Sequence, residues 1–180
     1  MPGVYTLEWR DGRKQKFYGH RGYYYVFPNQ ILLSFLPSSA WCHKCKKITL
    51  CERLEQPETI RAELEELDDP KSTRSQQISK SRASNFPEHW RNKRELQLRH
   101  VTARKLPPSC LVCGSRQVSF FPDGEWAPHP ETGEEVRLSC TGMCSTGFAM
   151  KFYDTEGQLL DLGNEERERF LKLINSGKDL

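Results

Sequence analysis

Two Cys-x-x-Cys pairs constrain the fold of this 180-residue chain more than any other feature. The first pair is Cys42 and Cys45, and the second is Cys110 and Cys113, which Gly114 follows directly. A Cys-x-x-Cys turn brings two thiolates to one point, and a tetrahedral Zn²⁺ ion takes four such ligands. The glycine suits a chain that leaves the turn with positive φ. The sequence therefore predicts one zinc ion bound by all four cysteines.

The long separation of the two pairs predicts the domain organisation. Residues 46–109 lie between them, which is too long a stretch for a compact zinc finger. We expect a β-rich zinc-ribbon domain formed by residues 1–51 and 106–180, with residues 52–105 inserted as a helical subdomain. The expected fold class is α+β: small antiparallel β-sheets around a zinc ribbon, an inserted helical pair and a C-terminal helix.

The inserted segment has the pattern of two helices joined by a polar stretch. Residues 57–67 carry apolar side chains at helical spacing among many acidic residues. Pro87 predicts the start of a second helix, which runs to about residue 104 and is rich in Lys and Arg. Residues 71–85 contain few apolar side chains and predict a flexible segment. An acidic helix followed by a basic one is typical of an antiparallel pair with complementary charge.

The basic residues of the insert leave an alternative open. They could face phosphates instead of the acidic helix, and Arg91, Lys93 and Arg94 are then the candidate nucleic-acid contacts. The formal net charge of +3 and the isoelectric point near 8.5 are only mildly basic. A dedicated nucleic-acid binder is usually more basic, so the composition favours the complementary helix pair.

The number of cysteines predicts the cellular compartment, and the three cysteines outside the two pairs are candidate ligands for a second metal ion. Seven cysteines without an N-terminal signal pattern predict a reducing, cytoplasmic environment, in which clustered cysteines act as metal ligands. Cys140 and Cys144 could form a second zinc site with His129 or Cys51, although free, partly buried thiols are the favoured interpretation. No apolar run is long enough for a membrane span, so we expect no membrane association.

The residues around the two pairs resemble the zinc-ribbon superfamily. Trp41 precedes the first pair, and Pro107-Pro108-Ser109 precedes the second, which Gly114-Ser115 follows. This order is also similar to that of small bacterial proteins of unassigned function with a helical insert between two such knuckles. The resemblance implies that Cys42, Cys45, Cys110 and Cys113 are the metal ligands. Zinc ribbons serve transcription, translation, protein docking and structural support, so the resemblance does not select one function.

The coordination shell and the missing catalytic motifs predict a protein that is not an enzyme. Four thiolates leave no open position on a zinc ion, and the chain has no nucleophile elbow, phosphate loop or dinucleotide fingerprint. We therefore expect a non-catalytic zinc-binding protein that acts as a protein-interaction module, of the accessory or immunity type. The alternative is a zinc-ribbon protein that binds nucleic acid.

Overall fold

A computed structural model of the chain describes residues 3–18, 22–73, 76, 86–122, 124–143 and 150–176. These residues form ten strands and three helices, and the last helix lies near the C-terminus. The strands belong to three small, mostly antiparallel sheets. The predicted α+β class is therefore confirmed. Most of the predicted flexible segment, residues 71–85, lies outside the described residues.

The strands and helices have the following bounds. The strands are β1 Gly3–Trp9, β2 Lys14–Tyr18, β3 Tyr23–Val26, β4 Leu32–Ser34, β5 Ser38–Cys42, β6 Lys47–Cys51, β7 Val118–Phe120, β8 Trp126–Pro128, β9 Glu135–Met143 and β10 Lys151–Tyr153. The helices are α1 Pro57–Asp68, α2 Phe86–Ala103 and α3 Asn164–Asn175.

The chain divides into two compact units. The first contains Met1–Tyr25, Phe35–Arg53 and Pro107–Leu160, and the second contains Val26–Ser34, Leu54–Leu106 and Asp161–Leu180. The predicted domains, residues 1–51 with 106–180 and residues 52–105, stay a prediction. All four cysteines of the two Cys-x-x-Cys pairs belong to the first unit.

A four-stranded antiparallel sheet in the order β2-β1-β9-β8 provides the core of the first unit. Successive side chains of a strand point to opposite faces of the sheet. Leu7 of β1 and Val136 and Leu138 of β9 are buried and join Trp41 and Phe121 in one apolar cluster. The Asp-Gly turn after β1 lets β2 return along β1, because Gly12 adopts a positive φ of 86°. The sheet gives the first unit a buried face.

The sheet in the order β6-β5-β7 borders the two Cys-x-x-Cys turns, because the first turn joins β5 to β6 and Cys110 of the second pairs with Cys51 at the end of β6. Cys42 is the last residue of β5, and its backbone lies opposite Lys47 of β6 on one side and Val118 of β7 on the other. Elsewhere in the first unit β10 pairs with β3 in parallel, with Phe152 opposite Tyr24. This parallel pair departs from the expectation of purely antiparallel sheets.

The second unit contains the helices. Helix α1 begins at Pro57, whose fixed φ and missing N–H suit the first helical turn. It buries Ile60, and α2 buries Leu96. Helix α3 buries Phe170 and has its N-cap at Gly163. Each helix therefore has an apolar side toward the interior, as the helical spacing of apolar residues predicts.

Candidate metal centre

The two Cys-x-x-Cys turns meet with their four sulfur atoms in one cluster. The Sγ atoms of Cys42 and Cys113 are 3.6 Å apart, and those of Cys45 and Cys110 are 4.0 Å apart. All four lie within 4.8 Å of one another. Bonds of about 2.3 Å from a tetrahedral zinc ion place its sulfur ligands about 3.8 Å apart. The cluster is therefore compatible with metal binding, and each short contact joins one cysteine of each pair.

The two turns share one backbone pattern. The Lys46 N–H donates to the Cys42 carbonyl at 2.8 Å, and the Gly114 N–H donates to the Cys110 carbonyl at 2.9 Å. Lys46 has a φ of 51° and Gly114 a φ of 69°, so the positive φ predicted for Gly114 is confirmed. The Cys45 N–H also points at the Cys42 sulfur, at 3.4 Å. Such an N–H donor stabilises negative charge on a thiolate.

Burial governs the electrostatics of these thiols. Cys42 and Cys110 are fully buried, whereas Cys45 and Cys113 are half-buried. Burial raises the pKa of Cys42 and of Cys45. Both groups therefore favour the neutral thiol unless a cation lies close to them. A metal ion would supply that charge and displace the protons, because thiolates are the metal-binding form.

Cys51 lies against this cluster. It is fully buried at the end of β6 and forms an isolated antiparallel bridge with Cys110. Its hydrogen bond to Cys110 raises the pKa of Cys51 and lowers that of Cys110 to about 4. The sequence interpretation left Cys51 as a free thiol or, with Cys140 and Cys144, a ligand of a second site, since nothing local to Cys51 indicates that it pairs with Cys110.

Among the described residues, those predicted for a second metal site do not form a group close enough to bind a metal. The Cys42, Cys45, Cys110 and Cys113 cluster is the one group of three or more His, Cys, Asp or Glu residues close enough for a metal within the described ranges. Cys140 is exposed on β9. Cys144 lies outside the described residues, so the second site stays a prediction.

His129 closes a turn. Its Nδ1 accepts hydrogen bonds from the backbone N–H groups of Glu131 and Thr132, both at 3.3 Å. The buried ring packs edge-on against Trp41 with its centroid 4.6 Å away. These contacts give His129 a structural role beside the cysteine-bearing strand β5.

A buried carboxylate supports the second Cys-x-x-Cys turn. Glu52 is 0% exposed, and its Oε2 accepts hydrogen bonds from the Ser109 N–H at 2.7 Å and the Ser109 Oγ–H at 2.8 Å. Its Oε1 accepts one from the Tyr25 hydroxyl at 2.8 Å. Since Ser109 directly precedes Cys110, these bonds fix the start of the turn. The sequence interpretation counted Glu52 among the acidic residues of the insert, because its partners are distant in sequence.

The candidate nucleic-acid contacts are engaged within the second unit. Arg94 is buried, and it pairs with Glu55 at 2.9 Å and with Glu63. Arg91 pairs with Asp68 of α1. Lys93 donates to the Ser34 hydroxyl at 2.6 Å. The acidic helix α1 and the basic helix α2 are therefore joined by ion pairs, as the charge pattern predicts.

A groove opens beside the second Cys-x-x-Cys turn. It has a volume of about 410 Å³, and its lining consists of residues 110–114, Arg116, Tyr153 and residues 157–159. Val112 and Leu159 on this groove are each 56% exposed, whereas Cys110 is fully buried and Cys113 half-buried.

Comparisons with models of protein families, with curated proteins and with solved structures found no match. Within the described residues, no helix has the length and apolar character needed to cross a membrane. The likeness to zinc ribbons around residues 41–45 and 107–115 stays a prediction from the sequence.

Proposed function

We propose that this chain is a non-catalytic zinc-binding protein whose four-cysteine centre is structural and which binds a protein partner. The observation that carries the proposal is the cluster of four Sγ atoms within 4.8 Å of one another. Four cysteine sulfurs complete a tetrahedral shell, and closed shells of this kind are structural sites. The proposal includes the predicted membership of the zinc-ribbon superfamily.

The chemistry of the ligands supports zinc. Thiolate sulfur is a soft ligand, and a tetrahedral set of four cysteines is typical of zinc or an iron–sulfur centre. Sulfur contacts of 3.6 Å and 4.0 Å match the edges of a tetrahedron around a single zinc ion. The ion would join two turns that are far apart in the sequence, and its binding free energy would then add to the stability of the first unit.

The distribution of charge supports a protein partner over nucleic acid. Arg91 and Arg94 of α2 form ion pairs with acidic residues of the second unit. In the first unit, Arg10 pairs with Glu135 at 3.0 Å and Lys14 pairs with Glu8 at 3.1 Å. Cations that already pair with acidic side chains contribute less binding free energy to a phosphate backbone. Val112 and Leu159 are exposed apolar residues that line the groove beside the second Cys-x-x-Cys turn. Exposed apolar surface of this kind is often covered by a protein partner.

One observation favours nucleic acid as the second candidate. Lys44, Lys46 and Lys47 lie in and beside the first Cys-x-x-Cys turn, and all three are exposed. In the described part of the chain none of them forms an ion pair. Three clustered ammonium groups could contact neighbouring phosphates of a DNA or RNA strand.

Metal analysis tests the zinc centre. We expect elemental analysis of the purified protein to give one zinc per chain, and Cys42→Ser to lower the zinc content and the stability. Cys140→Ser is the matched control, because Cys140 is exposed and outside the cluster. A zinc content near zero in a folded protein contradicts the proposal. A content near two would support the additional site with Cys140, Cys144 and His129 or Cys51.

Fluorescence anisotropy decides between the two candidates. With labelled duplex DNA and single-stranded RNA near physiological salt, we expect no binding below about 1 μM, the usual limit of non-specific binding. Binding at lower concentration that is lost in the triple variant Lys44→Ala, Lys46→Ala, Lys47→Ala would place nucleic acid first. Lys105→Ala, at an exposed lysine of the second unit, is the control for general loss of charge.

A further inference from the structure

Cys51 and Cys110 are cross-strand partners. The bridge between them is flanked by two backbone hydrogen bonds, from the Leu111 N–H to the Leu50 carbonyl at 3.0 Å and from the Glu52 N–H to the Ser109 carbonyl at 2.9 Å. Bonds that flank the two residues define the non-hydrogen-bonded type of antiparallel pair. In such a pair the Cα atoms are about 4.5 Å apart and the side chains are closest.

This arrangement fits a disulfide bond. Disulfides join residues whose Cα atoms lie about 4.4 to 6.8 Å apart, a range that includes the spacing of such a pair. Both residues are fully buried, and they share one cluster with Cys42 and Ala40. Cys51 is thus a fifth thiol, itself fully buried, beside the four sulfurs of the proposed metal centre. Its backbone pairs with that of one proposed ligand, Cys110.

We propose that Cys51 is a resolving thiol, which on oxidation forms a disulfide with Cys110 and thereby releases the metal ion. The proposal rests on the proposed zinc centre and adds a redox response to it. Removing Cys110 from the shell leaves three thiolates, and the binding free energy of such a site depends on its full set of ligands. Reduction of the disulfide restores the fourth ligand.

The oxidant belongs to the class of small hydroperoxides, and hydrogen peroxide is the simplest of them. A peroxide in the groove beside the second turn lies against residues 110–114, and local opening of this turn must then expose the fully buried Cys110 to it. The Cys110 thiolate attacks one peroxide oxygen, the O–O bond breaks, and the departing hydroxide takes a proton to become water. The product is a sulfenic acid, Cys110–SOH.

The second step joins the two cysteines. The Cys51 sulfur attacks the Cys110 sulfur, the S–O bond breaks, and the hydroxide leaves as water with the Cys51 thiol proton. The two sulfurs lose two electrons in total, and the peroxide gains them. A thiol reductant such as dithiothreitol reverses the disulfide by exchange.

The experiment treats the zinc-loaded full chain with a small excess of hydrogen peroxide and follows released zinc with a chromogenic chelator. Non-reduced peptides are mapped by mass spectrometry. We expect zinc release together with a linked Cys51–Cys110 peptide, and recovery of zinc binding after dithiothreitol. Without its resolving thiol, Cys51→Ala should release zinc at least about fivefold more slowly. Cys140→Ala, the control for an exposed thiol, should match the wild-type protein.

Other outcomes overturn the proposal. Equal rates of release in Cys51→Ala and the wild-type protein would do so, as would linked peptides that join Cys42 to Cys45 or Cys110 to Cys113. Mapping of the wild-type protein decides the pairing even where the Cys51→Ala variant does not fold. A protein that purifies without metal contradicts the zinc centre itself and the release of metal, whereas mapping of the same sample still decides whether Cys51 pairs with Cys110.

Discussion

Lys46 and Gly114 occupy the same position in the two Cys-x-x-Cys turns, and both have a positive φ. Each follows the second cysteine of its pair, and each donates its N–H to the carbonyl of the first, at 2.8 Å and 2.9 Å. The φ angles are 51° for Lys46 and 69° for Gly114. Glycine adopts this conformation freely, whereas a residue with a Cβ is strained in it. The first turn is therefore strained where the second is not.

The first prediction concerns this difference in strain. Lys46→Gly should raise the free energy of unfolding by up to about 1 kcal/mol, because it removes the strain of a left-handed lysine. Gly114→Ala should lower it by about 1 kcal/mol for the opposite reason. Urea denaturation of the zinc-loaded protein measures both changes.

Gly142→Ala is the matched control for these two variants. A Cβ at Gly142 or at Gly114 meets no heavy atom within 4 Å, but only Gly114 has a positive φ. The control should therefore leave the stability nearly unchanged. If Gly142→Ala and Gly114→Ala cost the same free energy, the left-handed conformation is not the cause.

The second prediction concerns the buried carboxylate of Glu52. Its two oxygens accept three hydrogen bonds, two from Ser109 and one from Tyr25. Glu52→Gln replaces one accepting oxygen by an NH₂ group that faces a donor. This change should lower the free energy of unfolding by about 2 to 3 kcal/mol, since it leaves a buried donor without an acceptor.

Two measurements examine the Glu52 variant. Chemical denaturation measures the loss in free energy of unfolding. Glu125→Gln, at an exposed position, provides the control. Zinc affinity by competition with a chelator should also fall, because Ser109 directly precedes the proposed ligand Cys110. An unchanged zinc affinity would show that the bonds to Ser109 stabilise the strand without positioning the second turn.

The third prediction compares two arginines of α2. Arg94 is 8% exposed at its side chain and pairs with Glu55 and Glu63, whereas Arg91 is 36% exposed and pairs with Asp68. Arg94→Met should lower the free energy of unfolding by about 3 kcal/mol, because it leaves two partly buried carboxylates without a cation. Arg91→Met should lower it by less than about 1 kcal/mol, because an exposed ion pair contributes little to stability. Urea denaturation measures both, and equal costs would contradict the buried network.

Sequence reasoning found the parts of this structure that depend on local patterns. The two Cys-x-x-Cys turns and the amphipathic helices α1, α2 and α3 each follow from the spacing of a few neighbouring residues. The positive φ of Gly114 follows in the same way. Charge complementarity between α1 and α2 was also predictable, because each helix carries mainly one sign of charge.

The features that were missed depend on contacts between distant segments. Cys51 meets Cys110, and Glu52 meets Ser109, only because β6 lies beside the segment that precedes the second turn. A cross-strand register of this kind has no signal in either segment alone. Lys46 was missed because lysine seldom adopts a positive φ.

The last prediction concerns Tyr153 at high pH. Burial raises the pKa of this tyrosine above its ordinary value near 10. The unfolded chain therefore loses the phenolic proton before the native protein does. The stabilisation that results from the neutral phenol is complete below about pH 10 and is lost as the pH rises above it toward the native pKa.

The variant Tyr153→Phe isolates this effect. At pH 8 the variant should have a free energy of unfolding about 1 kcal/mol below that of the wild type, because it lacks the hydroxyl that donates to the Leu111 carbonyl at 3.3 Å. Between pH 9 and pH 11 this difference in the free energy of unfolding should shrink by about 1 kcal/mol, since only the wild-type unfolded chain ionises at this position. Denaturation curves across this range measure the change, with exposed Tyr18→Phe as the control. A difference that stays constant up to pH 11 would show that the native protein also ionises Tyr153 near pH 10, and the burial argument would fail.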